Sequence, residues 1–316
     1  MKSGPDRIDV NEVGPRDGLQ IEPVFVPTDE KVRLVDALSA CGFARIEVTS
    51  FTSPRAIPAL ADAQEVMARI ARAPGVIYTA LIPNVRGLER ALEVGIDELN
   101  LVMSASETHN RANLRMTREQ SLAQLLAVIE RASQAGKPSN VSLSTVFGCP
   151  FEGEIDPREV LRLAQAVIDA GAVGVTLCDT TGMAYPTQVA QLCSQMLERH
   201  PGVALTLHTH NTRGMALANA AAAWQVGVRR YDAAVGGLGG CPYAPGASGN
   251  VNTEELVHMF ESMQVATGVD LERVLAVVAA LPSVIRRELA TPMLAAGHRL
   301  KRHAPPEWMA AHFSSS

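Results

Sequence analysis

Residues 204–210 read ALTLHTH, and the fold turns on that stretch. Leu205 and Leu207 alternate with Thr206 and His208, the period of two that a β-strand imposes on its side chains. His208 and His210 therefore leave the strand on one face, at its C-terminal end. NTRG at 211–214 reads as a turn, and Met215 to Gln225 carries apolar residues at spacings of three and four, the helical period. Gly227 ends that helix, and another β-rich run, RYDAAV, begins at Arg230. Strand, helix and strand within about 30 residues make a βαβ unit.

The same unit repeats outward to both sides. β-rich runs begin at Arg7 (RIDVNEV), Arg45 (RIEVTSF), Val76 (VIYTALIP), Glu98 (ELNLVMS), Asn140 (NVSLSTVFG) and Gly174 (GVTLCDT), which with those at Ala204 and Arg230 makes eight. Helical spacing marks Asp29 to Ala40, Ala59 to Ala71, Thr117 to Ala135, Pro157 to Ala170 and Thr187 to Arg199. Gly42, Gly95, Gly136 and Gly171 stand where helices must stop before the next strand. Eight alternations predict an α/β protein of the (β/α)8 or TIM-barrel type. A doubly wound open sheet is the competing arrangement, but the first βα turn, EVGPRDGLQ, lacks the GxGxxG that cradles a pyrophosphate. The reading places the barrel over residues 7–245. Residues 246–316 form an appended helical region, Thr253 to Ala266 and Leu271 to Leu289, with a basic tail around HRLKRHAPPEW, packed on the barrel.

A chain of 316 residues that is 47% hydrophobic can bury a large core. Its net charge of -5 argues against a protein that grips nucleic acid along a basic face. The five cysteines are scattered without a CxxC pair, which fits a reducing compartment. The N-terminus runs into a strand without an apolar leader, and no uncharged run is long enough to cross a membrane. A cytoplasmic protein is expected.

In a (β/α)8 barrel the chemistry gathers where strands end and βα loops begin. Those positions hold Glu12 and Arg16-Asp17 after the first strand, Glu47 and Thr49 on the second, Asp179-Thr180 on the sixth and His208 to Asn211 on the seventh. Two histidines on one face can be buried donors to carbonyls or a metal-ligand pair. Asp17, a hard oxygen donor brought round when the barrel closes, tips the reading to a divalent cation, more like Mg2+ or Mn2+ than structural zinc. Arg16 beside it is either a surface ion pair or a cation set over a developing enolate. The flanking Gly14, Pro15 and Gly18 fix a tight loop and favour the second. Gly236 to Asn250 holds six glycines around Cys241, which suits a lid carrying a reactive thiol, nucleophile or proton donor. Asn250 is either a neutral metal ligand or an orienting group.

EVGPRDGLQ at 12–20, EVTSF at 47–51, HTHNTRG at 208–214 with ALAN after it, and GLGGCPYAPGASGN at 237–250 resemble the 3-hydroxy-3-methylglutaryl-CoA lyase family, from Glu12 to the GVDLERVL stretch at Gly268. The glycine-cysteine loop is the specific element, since related metal-dependent barrels share the Arg-Asp and HxH motifs without it. The resemblance implies cleavage of 3-hydroxy-3-methylglutaryl-CoA to acetyl-CoA and acetoacetate, in leucine breakdown, by a homo-oligomer, dimer or tetramer, that takes a small acyl-CoA and neither nucleic acid nor membrane. It implies a divalent cation on Asp17, His208, His210 and Asn250, an enolate-stabilising Arg16, an active-site Glu47, the catalytic thiol Cys241 and an acidic Asp179 near the substrate. Gln20, Ser106, Thr176 and Thr180 match substrate-lining positions. Pro23 stands where the family commonly has a lysine, Asn211 where it has an acid, and strand four (LVMSASETHN) is bulkier than the family pattern. The alternatives are a paralogous lyase for another 3-hydroxy-3-alkylglutaryl-CoA or citramalyl-CoA, a condensing synthase of the same barrel class, and a non-catalytic acyl-CoA sensor.

Overall fold

A computed structural model describes residues 6–240, 249–289 and 291–306. Eight strands, β1 (Asp9–Glu12), β2 (Arg45–Ser50), β3 (Ile77–Leu81), β4 (Glu98–Ser104), β5 (Ser139–Ser144), β6 (Gly174–Asp179), β7 (Ala204–Thr209) and β8 (Arg230–Ala233), form one closed barrel in chain order. Closure is parallel like every other pairing, with Val10 opposite Tyr231 and Glu12 opposite Ala233. The expected (β/α)8 barrel is present.

Around it run α1 (Thr28–Ser39), α2 (Ala63–Arg69), α3 (Val85–Glu93), α4 (Glu107–Leu114), α5 (Arg118–Gln134), α6 (Pro157–Asp169), α7 (Pro186–Arg199) and α8 (Ala216–Val226). After the barrel come α9 (Thr253–Ser262), α10 (Leu271–Ile285) and α11 (Pro292–Ala296). Local chemistry sets several starts: Thr117 and Gln120 form a reciprocal capping box at α5, and Asp156 caps α6 ahead of Pro157. The helical period runs on further than the helices do. Gln264 and Arg286 take left-handed φ values of 63° and 57°, so α9 stops before Ala266 and α10 before Leu289. The short α3 and α4 are additions to the sequence reading.

The two faces of each strand do different work. Outward residues such as Val10, Ile46, Val48, Leu99, Leu101, Leu177, Leu205 and Leu207 belong to the apolar core packed between barrel and helices. Inward residues include Asn11, Glu47, Asn100, Asn140, Thr176, Thr206 and Asp232, which line a polar cavity of about 30 Å3 on the barrel axis, room for roughly one water. Barrels of this class usually fill their axis with Val, Ile and Leu; here the axial polar groups satisfy one another, Asn140 Nδ2 and Ser142 Oγ both donating to Asn100 Oδ1. The segment between α9 and α10 docks at the start of β1, where the Ile8 amide donates to the Ala266 carbonyl, and against the α1–β2 loop, where Gly42 has φ +90° and a Cβ would lie 2.3 Å from the Gly268 carbonyl oxygen. Among the described residues, no helix is long and apolar enough to cross a membrane.

Candidate metal centre and active site

Gly14–Gly18 fold as one turn of π-helix directly after β1, with all five residues buried. Such widened turns recur at functional sites because they redirect side chains that a regular helix would carry away. Two glycines allow it by close approach: a Cβ on Gly14 would meet Glu12 Oε1 at 2.6 Å, and one on Gly18 would meet Leu238 Cβ at 2.6 Å. The turn presents Arg16 and Asp17 side by side, with Arg16 Nη1 2.5 Å from Asp17 Oδ1. Glu47 on β2 receives Arg16 Nε at 2.7 Å, and its other oxygen is held by Asn100 Nδ2 at 2.8 Å.

Across the mouth, β7 delivers both histidines to the same side, as its period requires; their rings lie 5.2 Å apart. Asp17, His208 and His210 each offer a ligand atom within 4.8 Å of the others, and all three are buried. Gln20 Nε2 donates to Asp17 Oδ1 at 3.0 Å and Asn250 Nδ2 to Asp17 Oδ2 at 2.8 Å. Asn250 is thus brought to the centre as a hydrogen-bond donor to Asp17. A backbone bridge between His210 and Asn250 holds it there. Gly239 comes equally near, since a Cβ would lie 2.5 Å from Asn250 Nδ2.

The electrostatics suit a cation. Burial alone would raise the Asp17 pKa, yet Arg16, the two histidines and Asn250 hold it at about 2, so the carboxylate is ionised. Burial, with His208 beside it, lowers His210 to about 4, leaving a neutral imidazole. Its Nδ1 is buried without a hydrogen-bond partner among the described residues. Burial pulls His208 down too, but its hydrogen bond to Asp232 and that residue's charge carry its pKa above the usual value. One carboxylate oxygen and two imidazoles are a donor set for a hard-to-borderline divalent ion, and His210 Nε2 lies 3.9 Å from Asp17 Oδ2, beyond a hydrogen bond and within the span that two ligands of one cation take.

The other expected residues are placed variously. Asp179 Oδ1 accepts from the Met183 and Ala184 amides, bracing the turn before α7, while its Oδ2 has no partner among the described residues; burial raises its pKa to about 6. Ser106 caps α4 and accepts from the Cys149 thiol at 3.0 Å. Thr180 Oγ1 accepts from the Thr145 amide. Thr176 lies a layer below the histidines, opposite Thr206, and accepts from Asn140 on the barrel axis. Asn211 turns its Oδ1 to the Ala216 amide at the head of α8. Cys241, with residues 242–248 of its loop, lies outside the described residues.

Three features escaped the sequence reading. Cys178 sits opposite His208 in the β6–β7 register, and its parity on GVTLCDT, shared with Thr176, could have revealed it. Asp232 contacts His208 Nδ1 at 3.2 Å; one acid inside RYDAAV carries no signal until β8 is set beside β7. A cavity of about 660 Å3 opens over the ends of β2 to β4, lined by Thr52, Arg55, Asn84, Val102, Asn113 and Arg115 among others. Only folding assembles it from three loops.

The barrel and its buried Asp/His/His donors define a (β/α)8 enzyme with a candidate divalent-metal centre at its C-terminal mouth. The HMGL-like family model matches residues 7–281, and the chain belongs to that family, which makes it a carbon–carbon lyase. A hydroxymethylglutaryl-CoA lyase of Bacillus subtilis is 48% identical over 271 residues, 86% of this chain and 91% of that protein. An (R)-citramalyl-CoA lyase of Chloroflexus aurantiacus is 42% identical over 294 residues, 90% of this chain and 93% of its own length. Among solved structures, an HMG-CoA lyase of Acinetobacter baumannii in complex with coenzyme A and 3-methylmalate superposes with a TM-score of 0.92 at 48% identity, over 97% of this chain and 100% of that one.

Proposed function

We propose that this chain cleaves 3-hydroxy-3-methylglutaryl-CoA to acetyl-CoA and acetoacetate. The observation that carries the reading is the buried Asp17–His208–His210 cluster with Arg16 clamped against it. Relatives named for this activity, matching over most of both chains, support it. Asp17, His208 and His210, with Asn250 once its amide turns its oxygen inward, would hold Mg2+ or Mn2+. Bound there, such a cation would supply the Lewis acidity that makes the substrate's tertiary hydroxyl proton easier to remove.

The residues do the rest. A base at the mouth takes the hydroxyl proton, the adjacent carbon–carbon bond breaks, and its electron pair becomes the enolate of acetyl-CoA. Arg16, its orientation fixed by Glu47 and Asp17, faces that charge with its remaining N–H groups. Cys241 then gives the enolate carbon a proton, completing acetyl-CoA. The cavity over β2 to β4 takes the coenzyme arm, and Arg55 and Arg115 on its rim meet the phosphates in place of the cation that Pro23 forgoes. The enzyme works in the cytoplasm as a homo-oligomer, dimer or tetramer.

Incubation of the purified protein with Mg2+ or Mn2+ and 3-hydroxy-3-methylglutaryl-CoA tests this, with acetoacetate and acetyl-CoA as the readout. The likeness to a citramalyl-CoA lyase supports a second reading, cleavage of citramalyl-CoA to acetyl-CoA and pyruvate. Pyruvate from that substrate, without acetoacetate from the first, would select it.

A further inference from the structure

Asp232 stands on β8 facing the barrel axis, between a candidate metal ligand and a buried amide. Its Oδ2 is 3.2 Å from His208 Nδ1, and its Oδ1 accepts a hydrogen bond from Asn11 Nδ2 at 2.8 Å. The strand register makes the three residues a row: His208 is opposite Asp232 across β7 and β8, and Asp232 is opposite Asn11 across β8 and β1. Asp232 and Asn11 are 9% and 8% exposed, so water competes little for either.

The hydrogen-bond inventory limits what this row can do. A carboxylate oxygen beside a ring nitrogen takes the N–H of that nitrogen, so His208 turns Nδ1 to Asp232 and leaves Nε2, on the far side of the ring, free to act as a ligand. The second carboxylate oxygen is held by Asn11, whose own Oδ1 is buried without a partner among the described residues. That amide is therefore turned for the benefit of Asp232 alone. Among the described residues His210 has no such support: its Nδ1 is unpartnered there, and its backbone is what ties it in, through the bridge to Asn250. Of the two imidazoles, one is aimed by a side-chain relay and one by the chain itself.

We infer that Asp232 is a positioning residue for the metal centre: seated between His208 and Asn11, it fixes His208 with Nε2 toward Asp17 and His210 and so sets the affinity for a divalent cation. The inference rests on the Asp17–His208–His210 reading of that centre. A carboxylate behind a metal-bound histidine fixes the tautomer and ring angle and strengthens the nitrogen as a donor, and its loss typically weakens metal binding 10- to 100-fold.

The test uses the full chain and Mn2+ alone, with free Mn2+ followed by electron paramagnetic resonance, so that no substrate or turnover enters. Asp232→Ala is expected to weaken binding about 10- to 100-fold. Asp232→Asn keeps an oxygen for the Nδ1 proton, and its amide can meet Asn11 once that side chain turns over, so a smaller loss of about 3- to 10-fold is expected. In a His208→Ala background, Asp232→Ala should cost nothing more, because the side chain it aims is gone. Binding by Asp232→Ala within about twofold of the parent, or an equal further loss in the His208→Ala background, overturns the inference. Should Asp232→Ala fail to fold, unchanged affinity in the near-isosteric Asp232→Asn overturns it as well. If the parent chain itself takes up no Mn2+, the metal-centre reading falls and this inference with it; a parent that binds while its Asp232 variants bind equally well sinks this inference alone.

Discussion

Two of the three guanidinium nitrogens of Arg16 converge on a single carboxylate oxygen of Glu47: Nε lies 2.7 Å and Nη2 2.6 Å from Oε2, while Nη1 reaches Asp17. The arginine bridges a strand-borne acid and a candidate metal ligand, a span that needs its planar fork. Lysine reaches one acid at a time. Arg16→Lys should therefore lower kcat on the order of 10²- to 10³-fold with KM little changed. Steady-state kinetics decide it, and a variant that keeps its kcat removes Arg16 from the chemistry. Glu47→Ala removes one of the two carboxylates that hold the buried Arg16 and leaves Asp17 as the other, for which a cost of about 1–3 kcal/mol in a urea melt is expected.

Chelation tests the centre in another way. Dialysis against EDTA should abolish cleavage, and Mg2+ or Mn2+ should restore it. Asp17→Asn, which removes the anionic donor, should not recover at cation levels that saturate the parent. Full activity in the chelated enzyme would rule out a metal role.

Gly239 and Gly95 make a matched pair. Both have positive φ, but a Cβ on Gly239 would press on Asn250 Nδ2 at 2.5 Å and approach the Asp17 carbonyl oxygen at 3.3 Å, whereas one on Gly95 meets nothing within 4 Å. Gly95→Ala should cost only the left-handed strain, about 1–2 kcal/mol, and leave turnover intact. Gly239→Ala should lose turnover as well as stability. Equal kinetics in the two variants would mean that the approach to Asn250 is immaterial.

Arg55 and Arg115 pair with no carboxylate among the described residues. If they meet coenzyme phosphates, Arg55→Ala and Arg115→Ala should each raise KM by about 5- to 20-fold at low salt without lowering kcat. The defect should shrink as ionic strength rises. A fall in kcat at constant KM would place both residues elsewhere in the cycle.

Glu12 is fully buried, and desolvation lifts its pKa from 4.5 to about 8 against the hydrogen bonds from Thr253 and the Val235 and Gly14 amides. A raised folded-state pKa means that the native state holds this proton more tightly than the unfolded chain. The stabilisation is complete below about 4.5 and is lost as pH rises through about 8. Glu12→Gln mimics the protonated form, so its urea midpoint should fall less steeply than the parent's between those limits. Parallel pH profiles would show that Glu12 does not titrate there.

The barrel was legible because strand alternation and helix-ending glycines recur with one period, and Gly42, Gly95, Gly136, Gly171 and Gly227 all take the positive φ that this reading requires. His208 and His210 were legible for the same reason, since a period of two needs no tertiary information. Asp232 was not, because only the register of β8 against β7 and β1 turns one acid among many into a neighbour of His208. Helix ends were misjudged at Gln264 and Arg286, where non-glycine residues take left-handed turns that propensity argues against. Thr176, which the family resemblance implied as substrate-lining, stands a layer below the histidines, and a resemblance in sequence carries no depth along the barrel axis.

The division between the polar axis and the apolar outer shell lets parity along a strand separate two kinds of inheritance. On β7, changes at Leu205 and Leu207 fall on the shell and are felt by every property of the protein through its folding. Changes at Thr206 and His208 fall on the axis and can alter what is bound while the shell stands. A lineage diverging from this chain can thus revise its chemistry on alternate residues and keep the same architecture, and relatives as similar as 48% and 42% identical carry different substrate names.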